Sequence, residues 1–212
     1  MAYLYTAIGD SLTTGFGALP GNGFVPIYRR MAEAKLKDVV INQNLGVNGL
    51  TSPELEQRVL YHPLYQQALT QADLITISIG GNDLIRAGRA LQIAPDRAPQ
   101  ILGQSLDTCQ RSFGNIVRSV QKIKAGSTSP YAIRVVGLYN PFPQIQEGSE
   151  WVRQFNAFAS GFSNKNFAFA DISGAFAAQG RELLFWDGVH PNGRGYRTIA
   201  GQLDKLGFKP LS

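Results

Sequence analysis

Two hydrophobic rhythms alternate along this chain. Short runs rich in β-branched, aromatic and aliphatic residues occur at 3–9 (YLYTAIG), 38–44 (DVVINQN), 73–80 (DLITISIG), 131–139 (YAIRVVGLY) and 167–173 (FAFADIS), each preceding a helical or loop stretch. They predict five strands. The clearest helical period spans 98–125, where Leu102, Leu106, Cys109, Phe113, Ile116, Val120 and Ile123 step by threes and fours. Further helices are predicted over about 24–35, from Ser52-Pro53-Glu54 onward, over about 150–162, and from Pro191 to about Leu206. Near-continuously apolar strands alternating with helices predict a parallel sheet covered on both faces.

Composition narrows this picture. At 212 residues with no linker, composition shift or internal repeat, the sequence predicts one domain over 1–212, with roughly 70% of the unfolded surface buried. No basic segment followed by a long apolar run opens the chain, and no apolar stretch is long enough to span a bilayer. A soluble chain without stable membrane insertion is expected, with export open if a leader was removed. One cysteine makes no internal disulfide. The net charge of +5 is spread rather than blocked. Arg111, Arg118 and Lys122 share one side of a helical pattern and read as a solvated face. No basic stretch interleaved with aromatics points to nucleic acid; transient contact with a lipid surface stays open.

Candidate chemistry gathers where the predicted strands end, as expected for such sheets. The first run leads into GDSLTTG, the second into NLGVNGLTS, the third into GGND and the fourth into YNPFP. Ser11 stands where strand gives way to turn and helix, a place that suits a nucleophile and a helix N-cap equally. A serine nucleophile needs a base, and the chain holds two histidines. His62 (LYHPLY) has no acidic residue within five positions and reads as structural or surface-exposed. His190 (DGVHP) follows Asp187 by three residues. Residues so spaced in a tight turn lie within about 7 Å, so the carboxylate can take Nδ1–H and leave Nε2 free as a base. The plainer reading is that Asp187 caps the last helix and His190 is merely nearby. Asn82 and the Gly49 N–H offer oxyanion donors, worth about 3–4 kcal/mol each when preorganised.

Other chemistries fit less well. No G-x-S-x-G occurs, and GGND lacks the spacing of a phosphate loop or dinucleotide fingerprint. Asp10, Asp83, Asp187 and His190 make a poor zinc set, since such sites draw on more His or Cys. Cys109 lies in an apolar stripe and reads as a buried thiol.

GDSLT, NLGVNG, GGND and DGVHP stand in the order of the four blocks of the SGNH or GDSL hydrolases, and the resemblance runs from the first strand to the last helix. The chain looks most like the compact bacterial GDSL lipases and esterases, including the spore-germination type. That resemblance implies a flavodoxin-like three-layer α/β/α sandwich with a five-stranded parallel sheet in the order 2-1-3-4-5. It implies Ser11 as nucleophile, His190 as general base and Asp187 as its orienting acid. It assigns the oxyanion hole to the Ser11 N–H, the Gly49 N–H and the Asn82 side-chain amide, with no metal or organic cofactor. It also implies a cytoplasmic or spore-associated location. One departure stands out: many members carry a small polar or acidic residue after the block-two glycine, whereas Leu50 follows it here.

The expectation is a serine carboxylester hydrolase, an esterase or lipase acting on a small-molecule acyl ester through an acyl-Ser11 intermediate. Phe16, Leu50, Leu84, Ile85, Phe142 and Val189 are the expected substrate-binding residues, with Ile145, Phe185 and Trp186 also near the motif loops. An apolar lining suggests short- to medium-chain acyl groups, with lysophospholipids or phospholipids as further substrates. A carbohydrate O-acetylesterase or thioesterase is the alternative within the same chemistry. A non-catalytic lipid- or flavin-binding module is the rival class, and it has no need of Ser, Gly, Asn, Asp and His together.

Overall fold

The computed structural model describes residues 2–212. β1 (Tyr3–Gly9) leads into α1 (Ser11–Thr14) and α2 (Phe24–Leu36), and β2 (Val40–Gly46) into α3 (Ser52–Tyr61) and α4 (Pro63–Gln71). β3 (Leu74–Ser78) leads into α5 (Gly81–Ile93) and α6 (Ala98–Lys124), and β4 (Ala132–Val136) into α7 (Gln146–Ser160). β5 (Phe167–Ala170) is followed by α8 (Ser173–Gln179) and α9 (Gly193–Lys205). All five strands pair in parallel in the order β2-β1-β3-β4-β5. This is the expected doubly wound sandwich.

Strand alternation sorts side chains into two cores, because successive residues point to opposite faces. Ile8, Ile75, Ile77, Ile133 and Val135 face one side and pack with Leu55, Leu69, Phe113, Ile116 and Phe155 from the helices between β2 and β5. Tyr5, Ala7, Leu74, Ala132 and Val136 face the other and pack with Phe24, Tyr28, Phe176, Tyr196 and Ile199 from α2, α8 and α9. Fully burying one such aliphatic or aromatic side chain contributes about 1.5–3 kcal/mol. Cys109 is fully buried in the first core, and the α6 residues Arg111, Arg118 and Lys122 face solvent.

The differences from the sequence reading have local causes. β2 is shifted to Val40–Gly46 and exposes residues 41–44, because it lies at the edge of the sheet beside β1. It is not covered on both faces. Helices α4, α5 and α8 lie outside the segments that apolar periodicity marks. α5 opens on Gly-Asn-Asp and has Gly88 inside it, residues that read as turn formers. α7 starts at Gln146, earlier than its apolar stripe indicates.

The close approach of β1 to β3 depends on Gly9. Its φ is +147°, and a Cβ there would lie 2.1 Å from the Ser78 carbonyl oxygen. No other residue fits, so the chain reaches α1 tight against the carboxyl end of the sheet.

Candidate active site

Capping is done by Asp10, not Ser11. The Asp10 carboxylate accepts the Leu12 N–H at 3.0 Å, which places Ser11 in the first position of α1. An N–H there has no intrahelical acceptor. Asp10 is 2% exposed and also accepts the Ser78 hydroxyl at 2.9 Å, while the Ser78 and Thr13 hydroxyls are 2.7 Å apart. Burial pushes the Asp10 carboxyl up to about 6, against the opposing pull of the Ser78 and Leu12 bonds and the attraction of His190.

The segment between α8 and α9 folds His190 back on Asp187. Phe185 N–H donates to the His190 carbonyl at 2.7 Å and Gly188 N–H to the Phe185 carbonyl at 2.9 Å; Gly188 takes φ +71°. Asp187 Oδ1 accepts the Val189 and His190 N–H groups, both at 2.9 Å, and Oδ2 lies 2.7 Å from His190 Nδ1. On its other side, Nε2 lies 2.9 Å from Ser11 Oγ, across 179 residues of sequence. Asp187 does not cap the last helix; Asn192 does, accepting the Arg194 and Gly195 N–H groups. Burial raises the Asp187 carboxyl, but the bonds from the His190 ring and the two N–H groups outweigh it and hold the carboxyl below its usual range. An ionised acceptor on Nδ1 fixes the tautomer whose Nε2 can take the Ser11 proton.

The expected oxyanion donors lie just past the carboxyl ends of β1, β2 and β3, Ser11 and Asn82 in the first turns of α1 and α5 and Gly49 in the loop before α3. The Leu50 N–H donates to the Val47 carbonyl at 3.3 Å, closing a turn in which Gly49 has φ +78°. Glycine suits the third position of such a turn, and the Gly49 N–H belongs to the central peptide, which forms no bond within the turn. The Asn82 amide donates one hydrogen to the Leu50 carbonyl at 2.9 Å, leaving a second for a ligand.

His62 is exposed and caps α4, with Nδ1 accepting the Leu64 N–H at 3.3 Å. Its role is structural. Among the described residues, no three His, Cys, Asp or Glu side chains converge to hold a metal ion.

A profile of the "GDSL-like Lipase/Acylhydrolase family" matches residues 7–198. The chain belongs to this family. It is 32% identical to the "Spore germination lipase LipC" of Bacillus licheniformis over all of this chain and 99% of the relative. The structure superposes with a TM-score of 0.93 on the lipase Lip_vut3 from goat rumen metagenome, at 30% identity and covering 99% and 100% of the two chains. The acetylxylan esterase Axe2 of Geobacillus stearothermophilus shares the fold, with a TM-score of 0.66 at 20% identity over 98% and 95% of the chains. As a GDSL-family member the protein is a serine ester hydrolase.

Beside the GDSL serine, the expected substrate-binding residues divide. Phe16 is 45% exposed, with its ring centroid 4.7 Å from that of His190 and edge-on to it. Phe142, Phe185 and Trp186 line a cavity of about 1020 Å³ that also touches Tyr139, Phe176, Asp187 and Gly188. Leu84 and Ile85 are half-buried on α5, and Val189 is half-buried with its carbonyl accepting the Tyr139 hydroxyl at 2.5 Å. Leu50 differs from the others: it is 5% exposed and packs in the core with Leu55 and Ile75. Its chain neighbours lie in the motif loop, but the turn at Gly49 directs its side chain inward.

Sequence reasoning missed the supports around this site. Asp10 and Asp83 lie inside motif blocks, yet their partners Ser78 and Ser52 carry no motif signal. Tyr139 stands in YNPFP, a strand end whose residue types suggest no chemistry of their own.

Proposed function

We propose that Ser11 attacks the carbonyl carbon of an acyl ester while His190 Nε2 takes its proton and Asp187 orients and stabilises the resulting imidazolium. The developing oxyanion is held by the Ser11 and Gly49 N–H groups and the free hydrogen of the Asn82 amide. Collapse expels the alcohol, which is protonated by His190, and leaves an acyl-Ser11 ester. Water deprotonated by His190 then releases the acid and restores the hydroxyl. The single observation that carries this reading is the continuous contact Ser11 Oγ, His190 Nε2, His190 Nδ1 and Asp187 Oδ2, at 2.9 and 2.7 Å.

The substrate is a small-molecule ester with a short- to medium-chain acyl group, lysophospholipids and phospholipids included. Support comes from the apolar side chains exposed about the site, Phe16, Phe142 and Trp186. The same exposed side chains, with the net charge of +5, support transient contact with a lipid surface. No helix among the described residues is long and apolar enough to cross a membrane. Similarity to a spore germination lipase supports a spore-associated location. The profile match over 7–198 supports one catalytic domain.

Labelling with a fluorophosphonate followed by peptide mass spectrometry tests the nucleophile. One adduct on the peptide carrying Ser11 is expected; an unlabelled protein, or an adduct on another serine, contradicts the assignment. A series of p-nitrophenyl esters tests the acyl group. Turnover peaking between about four and ten carbons is expected for a short- to medium-chain pocket, and activity confined to acetylated sugars overturns it.

A further inference from the structure

Two of the proposed oxyanion donors come from different segments, Gly49 after β2 and Asn82 at the start of α5, and something must hold those segments in register. The structure does so with a ladder of side chains. Asn82 bonds to the Leu50 carbonyl at 2.9 Å. Asp83, the next residue, accepts both the Ser52 N–H at 3.0 Å and the Ser52 hydroxyl at 2.7 Å, one on each carboxylate oxygen. One turn further along α5, Arg86 reaches Glu54 at 3.3 Å, and Glu54 in turn accepts the Thr51 N–H at 2.8 Å. The outer pair is exposed and contributes little. The middle rung is different: Asp83 is 8% exposed and Ser52 is fully buried.

We infer that Asp83 is a positioning residue for ester hydrolysis, clamping the loop that carries Gly49 to the helix turn that carries Asn82. This rests on the oxyanion assignment proposed above. A buried carboxylate held by two donors is costly to place, and burial raises its proton affinity despite the Ser52 bonds. An apolar pair of similar shape serves stability as well. What the bidentate contact adds is direction, since both oxygens are engaged and the carboxylate cannot rotate without losing a bond. Ser52 is the first residue of α3, three positions after Gly49, so its placement sets where the Val47–Leu50 turn ends. Asp83 itself lies too deep to touch substrate. It acts through its neighbours.

The test compares Asp83→Asn, Ser52→Ala and Asn82→Ala in steady-state hydrolysis of p-nitrophenyl butyrate, well below each variant's melting temperature. Asp83→Asn keeps the shape of the side chain but loses one acceptor. A fall in kcat of about 10–100-fold with KM within about twofold is expected, as for other displacements of preset donors. Inhibition by a trifluoromethyl ketone, which presents an oxyanion, is expected to weaken by the same factor. Ser52→Ala, which retains the N–H bond, is expected to show a smaller loss of the same kind. If Asp83→Asn does not fold, Ser52→Ala carries the test alone. A folded Asp83→Asn, or in its absence Ser52→Ala, with unchanged kcat and inhibitor affinity, or with only a lower melting temperature, overturns the inference. Asn82→Ala separates the two levels. If it loses kcat while the clamp variants do not, the clamp alone fails; if it loses nothing, the oxyanion assignment fails and the clamp with it.

Discussion

The Tyr196 hydroxyl donates to the Phe16 backbone carbonyl at 2.6 Å, joining α9 to the turn that follows Ser11. Tyr196 is fully buried, and its hydroxyl also lies 3.4 Å from the Ser11 carbonyl. The phenol therefore braces the serine helix and the ring that packs edge-on to His190. Replacing it with phenylalanine leaves the Phe16 carbonyl without its donor, at a cost of about 1–3 kcal/mol. Urea unfolding of Tyr196→Phe is expected to show that loss, with kcat/KM for a butyrate ester lowered about 3–10-fold, the size of one misplaced contact. A variant of full stability and full activity contradicts this bracing role.

Asp10 links pH to stability. Its carboxyl is raised by burial to about 6, from an ordinary value of 3.8. In the folded protein it therefore holds a proton that the unfolded chain has already released, so its contribution falls as pH rises from about 4 to 6. The shift corresponds to a penalty on the order of 3 kcal/mol above pH 6. In Asp10→Asn the amide oxygen can still accept the Leu12 N–H and the side chain carries no charge. That variant is expected to gain stability relative to the parent between pH 4 and pH 7. Chemical unfolding at both pH values checks this; a stability difference that does not change with pH contradicts it.

Asp187 and His190 are expected to differ in the severity of their loss. His190→Ala removes the base and is expected to lower kcat by about 10⁶-fold. Asp187→Asn presents an amide to Nδ1, favours the tautomer with hydrogen on Nε2, and is expected to cost about 10⁴-fold. Equal kcat values for Asp187→Asn and the parent would show that the carboxylate has no part in orienting the ring.

Much of the architecture was legible in the sequence because parallel strands buried on both faces leave compact apolar runs, as LITIS and AIRVV do. β2 misled because NQN lies at an edge, where polar residues are tolerated within a strand. α5 was hidden because its first turn is made of Gly81, Asn82 and Asp83, residue types that favour turns over helix interiors. Ser11, Asp187 and His190 were legible for the opposite reason, since their spacing survives as motif even though Ser11 and His190 meet only through folding. Leu50 shows the limit of proximity in sequence. It adjoins Gly49, yet one turn sends its side chain into the core. The supports at Ser78, Ser52, Tyr139 and Tyr196 were not legible, because each becomes meaningful only through a contact with a distant segment.

All of the proposed chemistry requires Ser11 to be the group that bonds to the acyl carbon. The deciding experiment is turnover of p-nitrophenyl butyrate by purified Ser11→Ala, with circular dichroism and melting temperature measured on the same sample. A parent-like fold with kcat/KM reduced by at least about 10⁴-fold is expected. A folded Ser11→Ala protein that hydrolyses the ester at the parent rate would show that another group is the nucleophile.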